Sequence, residues 1–249
     1  MGSVSFDPDT LERLVPDELT SDEVSRATLE LHLERYRFAA QHCRPGRLLD
    51  IACGVGYGSR LLGDLRDDLT VLGVDVSGDA VRYASEHYGD SRVSFQQADA
   101  MAFQSDQRFD TIVSLETIEH LPDPAGFVDN ILRLLRPGGM FVASVPTTPS
   151  VDANPHHLHD FTRAKLDRLV AQHRLREVAA LPQVQPFGLT SVLTRADSRT
   201  KNVRPNLPAY YLSHPGSLLK RVASTLRHGF ANHYITVAWT SPDAGASRG

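Results

Sequence analysis

A doubly wound α/β protein, with helices on both faces of a mostly parallel sheet, is the fold class that the sequence predicts, on three observations. Short apolar runs alternate with stretches of helical periodicity from Arg47 onward, as consecutive βαβ units require. A glycine-rich turn, ACGVGYG (Ala52 to Gly58), joins the first run to the first of those helices. A single acid, Asp75, closes the second run nineteen residues after Gly56.

The elements follow in order. SRATLELHLERYRFAAQHC (Ser25 to Cys43) repeats apolar residues at helical spacing ahead of the first strand, so a helix is expected across the carboxyl end of the sheet or against its side, as a partial lid. Strands are expected at RLLDIA, TVLGVD, VSFQQ, FDTIVSL and MFVASV. DAVRYASEHYG and AGFVDNILRLLRPGG read as crossover helices, the second stopped by Pro-Gly-Gly. HYITVAWTS (His233 to Ser241) alternates like a last strand, and SPDAGASRG has the composition of a frayed tail. One domain is expected over residues 1–249: a helical cap at 1–45, a cofactor-binding core at 46–185, an insertion at 186–232, the last strand at 233–241 and a tail at 242–249. Ser191 to Phe230 carries seven Lys or Arg residues against the single acid Asp197; a solvated basic face and a substrate-covering element both account for it.

Bulk properties narrow the function. A chain of 249 residues with 41% hydrophobic content can bury one sizeable core. A formal charge of -4 and a pI near 6.2 give no case for a dedicated nucleic-acid binder. Cys43 and Cys53 form neither a metal-type pair nor a disulfide framework, which fits a reducing compartment. No apolar run approaches the roughly 20 residues that span a bilayer, and MGSVSFDPDT lacks a signal-peptide pattern. A soluble cytoplasmic protein with a small-molecule acceptor and no membrane partner is expected; the oligomeric state stays open, a homodimer included.

The glycine turn lets the backbone approach a ligand at a helix N-terminus, and Asp75 stands where a carboxylate accepts both ribose hydroxyls in a Rossmann-like nucleoside site. A dinucleotide fingerprint would need glycine at position 59, which is Ser59. That counts against an NAD-dependent oxidoreductase; a non-catalytic cofactor-binding protein is the other alternative. LLDIACGVGYGS, VLGVDVS, QQADAMAF and LRPGGMFVASVP, in this order over Arg47 to Pro146, resemble the motifs of class I S-adenosylmethionine-dependent methyltransferases. The resemblance implies a seven-stranded sheet, with Asp50 and the backbone of Gly54 and Gly56 near the methionine moiety, Asp75 at the ribose, Asp99 at the adenine amino group and Met101 beside the adenine ring; Ala52, Val76, Ala100 and Leu115 complete the expected cofactor-binding set. Ala52 departs from it, since many members carry glycine there.

The segment SLETIEHLPDP (Ser114 to Pro124) leaves the carboxyl edge of the fourth strand. If a helical turn starts at Glu116, then Glu116, Glu119 and His120 share one face, and two carboxylates so close call for a cation, a proton or solvent between them. A fourth ligand is available from the loop after the fifth strand, TTPSVDANPHHLHDFT, with His156, His157 and His159. Glu-x-x-Glu-His with a later His resembles the metal-dependent O-methyltransferases that modify the terminal ribose of small RNAs, and a related motif occurs in the ubiquinone-pathway O-methyltransferases. The resemblance implies a divalent metal held by Glu116, Glu119, His120 and His157, with Mg, Mn or Co suiting such ligands. Many metal-independent methyltransferases also carry Glu-His here, as a helix start and a residue below the cofactor.

Methyl transfer to a hydroxyl is therefore expected, with catalytic roles for His120, His156 and His159, one of the last two taking the proton. ERLVPDE, LHLERYRFAA and NPHHLHDFT resemble bacterial methyltransferases of glycan and glycosylated-metabolite pathways, so a sugar, oligosaccharide or sugar-bearing metabolite is the expected acceptor. RNA ribose, a quinone or polyphenol, and a metal-independent reaction with a histidine base are the alternatives.

Overall fold

The computed structural model describes residues 23–186, 204 and 206–243. Parts of the expected cap, insertion and tail (1–22, 187–203, 205 and 244–249) lie outside the described residues.

Helix α1 (Glu23–His42) precedes strand β1 (Gly46–Ile51), α2 (Tyr57–Leu65), β2 (Leu69–Asp75), α3 (Gly78–Tyr88), β3 (Val93–Gln97) and β4 (Phe109–Leu115). A short 3₁₀ turn (Ile118–His120) then leads into α4 (Pro124–Leu134), β5 (Leu135–Pro146), α5 (Arg163–Ala171) and β6 (Arg176–Pro186). Two further helices, α6 (Leu207–Ser213) and α7 (Pro215–His228), come before β7 (Ala231–Thr240). The seven strands form one sheet in the order β3-β2-β1-β4-β5-β7-β6. Only β7 runs against its neighbours, so the sheet is mostly parallel and doubly wound, as expected from the alternation.

The strands read as continuous apolar runs because both faces are covered. Successive side chains point to opposite faces: Leu49, Ile112 and Phe141 enter the layer with Phe127 and Trp239, while Leu48, Val113 and Val142 enter the layer with Tyr36 and Leu62. Helix α3 starts on Ser77, whose hydroxyl accepts from Ala80 N at 3.3 Å, and α4 starts on Asp123, which accepts from Gly126 N at 3.0 Å with Pro124 in the first turn. Each such cap contributes about 1 kcal/mol.

Helix α1 lies against the sheet. Its buried side, with Tyr36, Ala39 and Ala40, packs on the core layer of α2. Polar residues of the same helix reach the far side of the sheet: Arg35 Nε donates to Gln183 Oε1 at 2.7 Å, and Gln185 donates to Thr28 at 3.0 Å. The helix thereby spans the sheet from the glycine turn to β6.

Candidate functional site

The glycine turn leaves β1 with three residues in the left-handed backbone region, Ala52 (φ 63), Gly54 (φ 58) and Gly56 (φ 88). Glycine takes this conformation without cost, whereas Ala52 bears a strain of about 1–2 kcal/mol. Gly56 and Gly58 are required by packing: a β-carbon at Gly56 would lie 2.6 Å from Ala84, and one at Gly58 would lie 1.9 Å from the ring of Tyr36. Gly54 differs. A β-carbon there would meet nothing within 4 Å, so its Cα faces open space at the carboxyl edge of the sheet.

Two acids border that space. Asp75 holds its position by accepting from Gly54 N and Ser77 N, both at 2.9 Å, which ties the first loop to the second. Asp50 is buried, and its Oδ2 accepts from Ser59 Oγ at 2.6 Å and from the Tyr36 hydroxyl at 3.2 Å. Its Oδ1 has no hydrogen-bond partner in the structure. Burial raises the Asp50 carboxyl to about 7; the Ser59 and Tyr36 hydrogen bonds offset part of this, and the charge of Asp75 adds to it. An unpartnered buried acceptor beside an open glycine face fits a ligand that brings donors and positive charge. Val76 is exposed on this edge, Leu115 and Ala100 are buried, and Met101 is half-buried. Asp99 is exposed and accepts from Met101 N at 2.8 Å, which shapes its own turn.

The acidic turn does not start as a helix at Glu116. This residue takes a left-handed φ of 50, and helical geometry is confined to the 3₁₀ turn Ile118–His120. The one-face arrangement of Glu116, Glu119 and His120 needs continuous α-helical turns, so the expectation that Glu116 joins the metal ligands is corrected. Its carboxylate accepts from Ser144 Oγ at 2.7 Å and lies 3.5 Å from Arg35 Nη1. Arg35 is 1% exposed and stacks over Tyr234 with its guanidinium carbon 4.5 Å from the ring centre. Arg35, Glu116, Ser144, Gln183 and Tyr234 make a polar wall beside the open edge. Sequence reasoning missed Arg35 and Tyr36; the available signal was their place three and four residues after His32 on one helix face.

Glu119, His120 and His157 do come together: one ligand atom from each lies within 4.8 Å of the others, and Glu119 is fully buried. The loop after β5 is laced to the 3₁₀ turn, since Leu158 N and His159 N donate to the Glu119 carbonyl at 2.8 and 3.2 Å. His120 Nδ1 bonds the carbonyl of His156 at 3.1 Å, and His157 Nδ1 bonds Ser150 Oγ at 2.7 Å. Bonds of this kind orient imidazole ligands. Burial, then the neighbouring His120, pushes His157 down to about 3, so the ring is neutral, as a ligand must be. One carboxylate and two imidazoles suit a divalent transition ion. His156 is exposed, and His159 is tied through Nε2 to the Leu121 carbonyl at 3.0 Å.

Helices α6 and α7 are latched onto this same loop. Arg221 grips the buried Asp152 through Nε at 2.8 Å and Nη2 at 2.5 Å, and also donates to the Pro149 carbonyl at 2.6 Å. Tyr211 adds a 2.6 Å bond to Asp152. Burial opposes ionisation of Asp152, but Arg221 and Tyr211 outweigh it and hold the carboxyl below its ordinary value.

Residues 49–143 match the family described as a methyltransferase domain. A probable S-adenosylmethionine-dependent methyltransferase of Mycolicibacterium smegmatis is 32% identical over 142 residues, 54% of each chain. A ubiquinone biosynthesis O-methyltransferase of Psychrobacter arcticus is 32% identical over 179 residues, 67% of this chain and 66% of that one. The chain spans about half the length of the first curated relatives it matches. Among solved structures, the N-methyltransferase NodS of Bradyrhizobium japonicum, in complex with S-adenosyl-L-homocysteine, superposes with a TM-score of 0.59 at 16% identity, covering 90% of each chain.

Proposed function

With residues 49–143 a methyltransferase domain of the class I, S-adenosylmethionine-dependent kind, we propose that the protein transfers the methyl group of S-adenosylmethionine to a hydroxyl of a small acceptor. The observation that carries this reading is the open face of Gly54 between Asp75 and the unpartnered Oδ1 of Asp50. There Asp75 would accept the ribose hydroxyls, and Asp50 would face the positively charged end of the cofactor. Val76, Ala100, Met101 and Leu115 supply apolar surface for the adenine, and Asp99 borders them. The cofactor, when bound, presents a methyl group on a sulfonium; the protein's part is to hold the acceptor oxygen in line with it and keep water out.

The polar wall favours a hydroxylated acceptor. Arg35 offers donors and Glu116 an acceptor, which matches a sugar or sugar-bearing metabolite better than a flat apolar ring. His156, as the exposed histidine of the loop, is the candidate to receive the hydroxyl proton, while His159 and His120 are held by carbonyls. Glu119, His120 and His157 would hold a divalent cation, whose chemistry there would be to lower the pKa of a neighbouring hydroxyl.

Two measurements test these readings. Titration calorimetry with S-adenosylhomocysteine should show binding that Asp75→Asn weakens about hundredfold, the equivalent of two charge-assisted hydrogen bonds; stabilisation by NAD alone would overturn the cofactor assignment. Mn(II) added to chelator-treated protein should bind with a stoichiometry near one per chain and release protons, and Glu119→Gln should weaken that binding at least tenfold. Unchanged Mn(II) binding in the variant removes the metal from the reading and leaves a metal-independent transfer.

A further inference from the structure

Helix α7 is built inside out. Its half-buried side is polar, with Ser217, Arg221, Ser224 and Thr225 turned toward the protein, and Arg221 is the residue that grips Asp152. Its apolar residues face the other way: Leu219 is 71% exposed, Leu226 84%, Val222 47% and Leu218 41%. Leu219, Val222 and Leu226 follow one another at three- and four-residue spacing, so they form one stripe. Leu212 of α6, 86% exposed, and Phe230, 49% exposed, flank the helix in the chain and add exposed apolar surface. Among the described residues nothing covers it.

The helix itself carries charge of one sign: Lys220 and Arg227 are exposed along one border of the stripe, and from Leu207 to Phe230 there is no Asp or Glu; Lys220 also lies 3.9 Å from Asp160 of the loop after β5 and keeps 66% of its side chain exposed. This runs against the overall charge of -4, which is why whole-chain composition gives no hint of it. A second copy of the chain is a poor fit, because a two-fold contact pairs like surfaces and Leu207 to Phe230 offers no Asp or Glu to meet the cations of its copy. An apolar stripe bordered by cations is instead the pattern of a helix lying in the headgroup layer of a negatively charged membrane.

We propose that α6 and α7 form a docking surface for anionic lipid bilayers, with the stripe inserted among the acyl chains and Lys220 and Arg227 on the headgroups. Because Arg221 fastens α7 to the loop that carries His157, docking ties that loop to the membrane-bound helix. This is attachment, not crossing: no helix among the described residues is long and apolar enough to span a bilayer. The inference does not depend on the methyl-transfer reading.

Flotation of the full chain with vesicles tests it, using phosphatidylcholine alone and phosphatidylcholine mixed with phosphatidylglycerol. The protein should float with the mixed vesicles, and raised salt or omission of phosphatidylglycerol should weaken this by about tenfold or more. The paired substitutions Leu219→Asp with Leu226→Asp, and separately Lys220→Gln with Arg227→Gln, should each weaken it to a similar degree. These side chains are exposed, so circular dichroism and S-adenosylhomocysteine binding should stay unchanged, and either pair suffices if the other fails to fold. Failure of the unaltered protein to float overturns the proposal. So does unchanged flotation of a folded variant, or a dimer by light scattering that the leucine pair converts to monomer.

Discussion

Asp50 shows what burial does to one carboxylate. Its folded value near 7 lies above the ordinary 3.8, so the folded state prefers the protonated form. That preference stabilises the fold fully below 3.8 and is lost as pH rises through about 7. A cationic cofactor reverses the balance by favouring the ionised form. Binding of S-adenosylmethionine should therefore release a proton near neutral pH, and its affinity should fall below about pH 7 by at most about tenfold per unit. Calorimetry in buffers of different ionisation enthalpy reads the released proton; a proton count of zero at pH 6–7 would remove Asp50 from contact with the cofactor. The glycine turn and its two acids were legible in the sequence because their chemistry is local: a turn, a strand end, a fixed spacing. The strain at Ala52 and Glu116 was not, since a left-handed φ in a non-glycine residue is imposed by its surroundings.

At the scale of elements, the latch between α7 and the loop after β5 makes a definite prediction. Asp152 is buried, and removal of its partner in Arg221→Ala leaves a buried charge with Tyr211 as its remaining side-chain donor, a loss of about 3 kcal/mol. Amide exchange across 149–160 and 207–228 should rise by about a hundredfold, while strands β1 to β4 keep their protection. Uniform loosening of the whole chain would contradict a local latch. Strands and crossover helices could be read from periodicity, and the acidic turn's proximity to the histidine loop could be read from strand order. Its geometry could not: a helix starting at Glu116 was a fair expectation from spacing, and one left-handed residue replaced it with a 3₁₀ turn, leaving Glu116 to Arg35. Arg35 escaped notice because its partners lie far along the chain.

For the molecule as a whole, the antiparallel β7 between β5 and β6 brings Tyr234 and Gln183 to the same edge as Glu116. Composition could bound the core and the net charge, but it averaged away the cationic, acid-free surface of α6 and α7. The span of α1 from the glycine turn to β6 also has a temporal side. Arg35 leaves the ribosome 148 residues before its partner Gln183. Loop closure over such separations is slow, so the polar wall is among the last parts to assemble, and the nascent chain carries the Arg35 charge unburied until β6 arrives. Pulsed hydrogen exchange during refolding should show β1, β2 and β4 protected before β6 and the Arg35 end of α1. The pocket for the acceptor would then be sealed only once β6 has been made and folded.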